Sequence, residues 1–239
     1  MAGDGCALAG RETDVCARES VEVRRFCTHR RRIAADGGGR GAPRTATGAA
    51  VWERGRRTGH AGRVLEQEKP PIVVVVGNPK VNSRTSAVAQ RVAERAALAG
   101  GLPAEAQTAT IELAELGPQL FDWSSADVRA RAEQLSAARL AVIATPIYKA
   151  TYTGLLKSFL DWFSSTGLDG VTVVPVMVGA GAKHALAVEV HLRPLLVEIG
   201  ATVPTRGLFV LEQELEQLDA SIDTWLVHAG PLLNRHLAG

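Results

Sequence analysis

Five consecutive residues, Ile72-Val73-Val74-Val75-Val76, are all branched at Cβ. Such side chains crowd a helix and suit an extended, pleated backbone. A strand with one wet face alternates apolar and polar residues, and this run does not alternate. It therefore predicts a strand covered on both faces, as in a parallel sheet between helical layers. Gly77-Asn78-Pro79 then breaks the run.

The remainder of the chain repeats that alternation. Ser83 or Thr85 can cap a helix running to about Ala99, where Gly100-Gly101 stops it. Thr108 to Leu113 reads as a second strand and Ser124 to Ala138 as a helix capped by Ser124 or Ser125. Leu140 to Ala144 is a third buried run. Tyr152 to Phe163 reads as a helix whose apolar face carries Leu155, Leu156, Phe159 and Leu160. Val171 to Val178 gives a fourth strand, and Lys183 to Ile199 a helix. Thr202 to Leu211 gives a fifth strand, and a last helix begins near Glu214.

Five strands alternating with helices specify a doubly wound α/β domain, a three-layer sandwich with right-handed crossovers. With five strands in about 170 residues, the flavodoxin-like strand order 2-1-3-4-5 is favoured over the six-stranded alternative. No internal repeat is present.

Residues 1–69 differ in kind. They hold 14 Lys and Arg against 9 Asp and Glu, whereas residues 70–239 hold 13 against 16. Asp36-Gly37-Gly38-Gly39-Arg40-Gly41-Ala42-Pro43-Arg44 mixes breakers with charge and has no apolar face. The division is thus a disordered basic arm over 1–69 and a folded domain over 70–239. Three readings of the arm stand: a solvated tail, an upstream reading-frame extension ahead of a start near Val64, and a phosphate-binding arm. Arg runs alone supply only non-specific phosphate affinity, so nucleic acid is not the expected partner.

Cys6, Cys16 and Cys27 all lie in the arm, so no disulfide staples the domain. Their odd number and lack of CxxC spacing oppose a disulfide framework and a zinc site, and no metal is expected. No stretch approaches the roughly 20 apolar residues of a membrane span. Arg24-Arg25 lacks a following apolar segment, and the arm is too acidic for a transit peptide. A reducing cytoplasmic setting fits these features.

In this architecture ligands bind outside the carboxyl ends of the strands, at the switch point between the first and third. Three loops meet that description. The first, Gly77 to Thr85, offers hydroxyls at Ser83 and Thr85, a cation at Arg84 and the amides of a helix start. Those are the parts of a phosphate cradle, although neither GxxxxGK[ST] nor GxGxxG is present. An ordinary capped turn would use the same residues. The second, Ala144 to Gly154, ends a strand at Pro146 and exposes Tyr148 and Lys149, beside which a planar ring could lie; simple packing is the alternative. The third, Val178 to His184, is a run of small residues that permits close backbone approach. Together they suit a flat phosphorylated ligand such as FMN.

On these residues the domain resembles the NADPH-dependent FMN reductase family of the flavodoxin-like fold. The matching pieces are Gly77-Asn78-Pro79 with Ser83-Arg84-Thr85, then Thr145-Pro146-Ile147-Tyr148-Lys149 with Gly154-Leu155-Leu156-Lys157, then Gly179 to His184 leading into Ala185-Leu186-Ala187. The resemblance covers about residues 70–211. It implies that Ser83, Arg84 and Thr85 bind the FMN phosphate, with Asn78 beside them. Pro146, Ile147, Tyr148 and Lys149 would meet the isoalloxazine ring, and Gly179, Ala180 and Gly181 would close over its edge. Tyr152 is similar to a Tyr placed on a widened, π-type helical turn at a subunit interface in the reductase halves of two-component monooxygenases. Many relatives have Ser at the Asn78 position and a Gly-Gly-Ser run in place of Gly179-Ala180-Gly181.

The resemblance implies an NAD(P)H-dependent oxidoreductase in which hydride passes from nicotinamide C4 to flavin N5, NADPH or NADH being the donor. The cofactors carry that chemistry, so no catalytic side chain is assigned. Reduced flavin would go to a flavin-dependent monooxygenase. A quinone, azo or metal-oxyanion reductase with bound FMN is the alternative. A flavodoxin-type electron carrier is a third reading, opposed by the basic residues Lys80, Arg84 and Lys149 near the proposed site. A homodimer or homotetramer is implied, with Trp162 and Phe163 serving either that surface or the core.

Overall fold

The computed structural model describes residues 71–238; the basic arm and its cysteines lie outside the described residues. β1 (Ile72–Val76), β2 (Thr108–Glu112), β3 (Leu140–Pro146), β4 (Thr172–Gly179) and β5 (Leu208–Leu211) form one parallel sheet of order β2-β1-β3-β4-β5. This is the expected flavodoxin-like order. The helices are α1 (Arg84–Ala99), a single turn α2 (Leu113–Leu116), α3 (Ala126–Ser136), α4 (Gly154–Leu160), α5 (Arg193–Glu198) and α6 (Leu218–Leu237). No helix among the described residues is long and apolar enough to cross a membrane.

The β1 run works as its composition dictates. Val73 and Val75 point to one face and pack with Val128 and Leu135 of α3 and Leu156, Phe159 and Leu160 of α4. Ile72, Val74 and Val76 point to the other and pack with Val88, Val92 and Ala96 of α1 and Ile222 and Leu233 of α6. Period-2 alternation thus feeds two separate cores from one strand. Trp162 and Phe163 pack against the first core, and the Trp162 indole N–H donates to the Leu120 carbonyl at 3.0 Å. Met177, the only methionine after residue 70, is fully buried in β4.

Four expected elements differ in extent. The helix expected over Tyr152 to Phe163 is only Gly154–Leu160, with Thr153 as its N-cap. Tyr152 therefore precedes the helix and sits on no widened turn. The π-helical turn among the described residues is Val188–Leu192, within the segment expected to be one helix from Lys183 to Ile199. That segment consists of a 3-10 turn (Ala182–His184), the π turn and α5. Pro194 explains the join, since it cannot donate to a carbonyl one turn back and its ring crowds that carbonyl. The last helix begins at Leu218, after a 3-10 turn over Glu212–Gln217.

The fifth strand is shorter than Thr202 to Leu211 for a physical reason. Val173 N–H donates to Thr202 O at 2.8 Å, so odd-numbered amides of β4 face this neighbour. The next such position is Pro175, which has no N–H, and the ladder resumes only at Val176 opposite Leu208. Arg193 fills the gap by donating to the carbonyls of Val203, at 2.7 Å, and Thr205. Glu189 completes it, accepting from Gly207 N–H at 2.6 Å and from Arg193 Nε at 2.6 Å. Burial works against the Glu189 carboxylate, but the bonds from Arg193 and Gly207 outweigh it and hold its pKa below the ordinary 4.5.

Because the folded pKa is depressed, this stabilisation is complete above the ordinary glutamate value and is lost as acidification passes through the folded one. Arg193→Met should cost about 2 kcal/mol in urea melts near neutral pH, the pair being only partly exposed. Glu189→Gln should remove part of the loss of stability expected on acidification below the ordinary glutamate pKa. Unchanged melts in both variants would refute the clamp.

Candidate functional site

The carboxyl ends of β1, β3 and β4 lie side by side, and their three loops build the site. In the first, Gly77 donates its amide to Ala144 O at 2.7 Å, holding the exit of β1 against β3. Asn78 then folds the loop onto α1. Its Nδ2 donates to Thr85 Oγ1 at 3.1 Å, and its Oδ1 accepts from Lys80 N at 2.9 Å. Asn82 takes the left-handed region at φ 50, which Asn tolerates better than most side chains. Ser83 is the N-cap of α1, its hydroxyl accepting from Ser86 N at 3.2 Å.

Ser83 and Thr85 hydroxyls therefore act as acceptors within the protein, which leaves each proton free to donate. The amides of Arg84 and Thr85, first in α1, have no acceptor one turn back. Arg84 is 69% exposed and lies 3.5 Å from Glu212, which follows β5. Amides, hydroxyl protons and a guanidinium at one helix start favour an anion. Ser83 is nearer the surface than Thr85, at 8% against 2% exposure, and is the better placed donor.

The second loop is held more tightly than the sequence suggests. Pro146 is buried and ends β3 opposite Val178. Ile147 donates to Val178 O at 2.8 Å, extending the strand by one bond. Tyr148 N–H donates to Thr151 O at 2.9 Å and Thr151 N–H returns a bond to Tyr148 O at 3.2 Å. Between them Lys149 and Ala150 have φ values of 51 and 68, the pattern of a type I′ turn built without glycine. Each such residue costs on the order of 1 kcal/mol, and strain of this kind collects at functional sites. The turn leaves the Tyr148 ring 52% exposed.

In the third loop, Gly179 is tightly packed. An added Cβ would lie 3.0 Å from the Phe209 ring and 3.2 Å from Ile147 Cδ1. Ala180 is exposed, and a Cβ on Gly181 would meet nothing nearer than Lys183 Cγ at 3.9 Å, so the space beside it is open. Lys183 and His184 complete the 3-10 turn that begins at Ala182. Val81 and Tyr148 in the first two loops, and Leu186 just after the third, are large exposed apolar side chains. Anion donors, an exposed aromatic ring and an open small-residue wall fit FMN.

Sequence reasoning missed the roles of Thr153 and Glu212. Thr153 was legible as a helix cap from its place before Gly154. Nothing local could reveal that Glu212 reaches Arg84. A concavity of about 620 Å³ lined by Trp123, Arg129, Glu133, Ser136 and Trp162 lies along α3 and the segment after α4. It touches none of the three loops, and its two tryptophans pack on each other with centroids 5.0 Å apart.

Gly77→Ala tests the packing under the first loop. The new Cβ would stand 2.7 Å from Leu156 Cβ, which belongs to the first turn of α4 and cannot swing away. Overpacking of this kind costs about 1–3 kcal/mol, read as a thermal midpoint lowered by roughly 2–4 °C per kcal/mol. A midpoint equal to that of the parent would show that the loop yields.

A family model described as NADPH-dependent FMN reductase matches residues 70–216. The NADH-dependent FMN reductase SfnF of Pseudomonas putida is 31% identical over 151 residues, spanning 61% of this chain and 80% of that protein. The FMN reductase (NADPH) of Escherichia coli K12 is 29% identical over 147 residues, spanning 60% of this chain and 74% of that protein. Among solved structures, an oxidoreductase from Corynebacterium diphtheriae superposes with a TM-score of 0.60 at 28% identity, covering 71% of this chain and 98% of its own.

Proposed function

The chain belongs to the NADPH-dependent FMN reductase family, and on that premise we propose that it takes up FMN as a substrate and releases it reduced to a flavin-dependent monooxygenase. It is an oxidoreductase that uses FMN and NADPH or NADH. When bound, the nicotinamide and flavin supply the hydride chemistry between them. The protein's part is to hold them and set their geometry.

One observation carries the substrate reading over the prosthetic one. Arg84, the cation of the proposed phosphate cradle, is exposed and already faces Glu212. A phosphate must compete with that carboxylate and with water, so the flavin is held loosely enough to leave. Ser83 and Thr85 would give hydroxyl donors to the same phosphate. Asn78 would shape the cradle through Thr85 and Lys80 and keep its second amide N–H as a donor to the ligand. Ile147, Tyr148 and Lys149 would form the ring platform over the buried Pro146. Gly179, Ala180 and Gly181 would face the ring edge.

Self-association as a homodimer or homotetramer belongs to the same reading. Phe121 and Trp123, at 73% and 61% exposure, present apolar surface that a second copy would cover, and Tyr152 stands beside the ring loop. Light scattering that gives the mass of one chain would remove this part.

Steady-state NADPH oxidation with and without added FMN decides the main point. A colourless preparation stimulated by free FMN supports the substrate reading. A yellow preparation active only with a quinone or dye replaces it with a bound-cofactor reductase. Within the substrate reading, Arg84→Ala should raise the KM for FMN about tenfold, corresponding to about 1.4 kcal/mol. Glu212→Gln should lower it about two- to fivefold, as suits an exposed pair worth at most about 1 kcal/mol. No change in either variant would place the phosphate elsewhere.

A further inference from the structure

Thr153 joins parts of the chain that the sequence keeps 76 residues apart. Its hydroxyl donates to the carbonyl of Gly77 at 2.6 Å. The same oxygen accepts from Leu156 N at 3.1 Å, capping α4. Its own amide donates to Thr145 Oγ1 at 3.2 Å, at the end of β3. The residue is 3% exposed, so these bonds do not compete with water. Gly77 is the first residue of the phosphate loop, and the closed turn from Tyr148 to Thr151 ends two residues before Thr153. One buried hydroxyl therefore holds the root of one loop to the root of the other. Removing it leaves both the Gly77 carbonyl and the Leu156 amide without that partner.

We propose that Thr153 is a positioning residue for flavin, fixing the separation between the loop that receives the phosphate and the loop that receives the ring. This rests on the loop assignments of the proposed function. Thr153 itself touches neither flavin nor nicotinamide. A flavin mononucleotide carries its phosphate on a short chain from a rigid ring, so both ends must be met together. When the loops hold a fixed separation, binding one end presents the other at high effective concentration. When they drift, that advantage is lost and each end binds more weakly. The effect falls on FMN affinity and spares turnover once the flavin is seated.

The test compares Thr153→Ala and Thr153→Ser with a matched cap variant, Ser125→Ala. Ser125 caps α3 by accepting from Val128 N and bonds Gln119, away from all three loops. The expected result is an FMN KM about tenfold higher in Thr153→Ala, with kcat at saturating FMN unchanged. Thr153→Ser should restore the parent value, because it keeps the hydroxyl, and Ser125→Ala should leave the FMN KM unmoved. Fluorescence titration with FMN alone should show the same order of affinities. A parental FMN KM in Thr153→Ala, an equal rise in Ser125→Ala, or no rescue by Ser would each overturn the proposal. If Thr153→Ala does not fold by circular dichroism, the isosteric Thr153→Val replaces it. Failure of both to fold would make the residue structural only. Failure of the parent protein to bind FMN would instead refute the loop assignment.

Discussion

The burial of β1 on both faces is the constraint from which the rest follows. Five β-branched residues in sequence cannot leave a face wet, so a helical layer must stand on each side. Layers on both faces require crossover connections, and these keep the strands parallel. Parallel strands bring all their carboxyl ends to one edge. With β1 between β2 and β3, the chain must change direction there, and the loops after β1 and β3 part around the switch point. The location of the site is thus a consequence of covering five side chains.

The two edges of the sheet are finished differently. At the amino edge of β5, side chains stand in for a ladder that Pro175 interrupts, and Arg193 and Glu189 supply the missing partners. At the carboxyl edge two backbone bonds and one buried hydroxyl are used. Gly77 bonds to Ala144, Ile147 bonds to Val178, and Thr153 bridges the two loop roots. The roots of the candidate-site loops are therefore held by buried bonds. The left-handed pair Lys149 and Ala150 can persist because that base is firm.

The sequence made the sheet legible because its signal was local. β1, β3 and β4 are continuous apolar runs, and their limits fall within two residues of expectation. Caps were equally plain: Ser83 and Ser125 lie where a helix start needs an acceptor. The misreadings arose partly across the sheet and partly from nearby turns and Pro194. Nothing near Thr202 says that Pro175, across the sheet, withholds an amide. Nothing near Tyr152 says that Thr151 is tied back to Tyr148 and delays the helix. Of the site, residue types were readable and their use was not. Asn78 is readable in sequence as a polar loop residue, but its amide bonds to Thr85 and Lys80, which shape the loop, are not.

Met177 deserves a chemical reading of its own. Reduced flavin in solution meets oxygen and yields peroxide, which attacks accessible sulfur first. After residue 70 the chain has no cysteine, and its one thioether is sealed in the middle of a strand. The described domain therefore offers peroxide no accessible sulfur to oxidise.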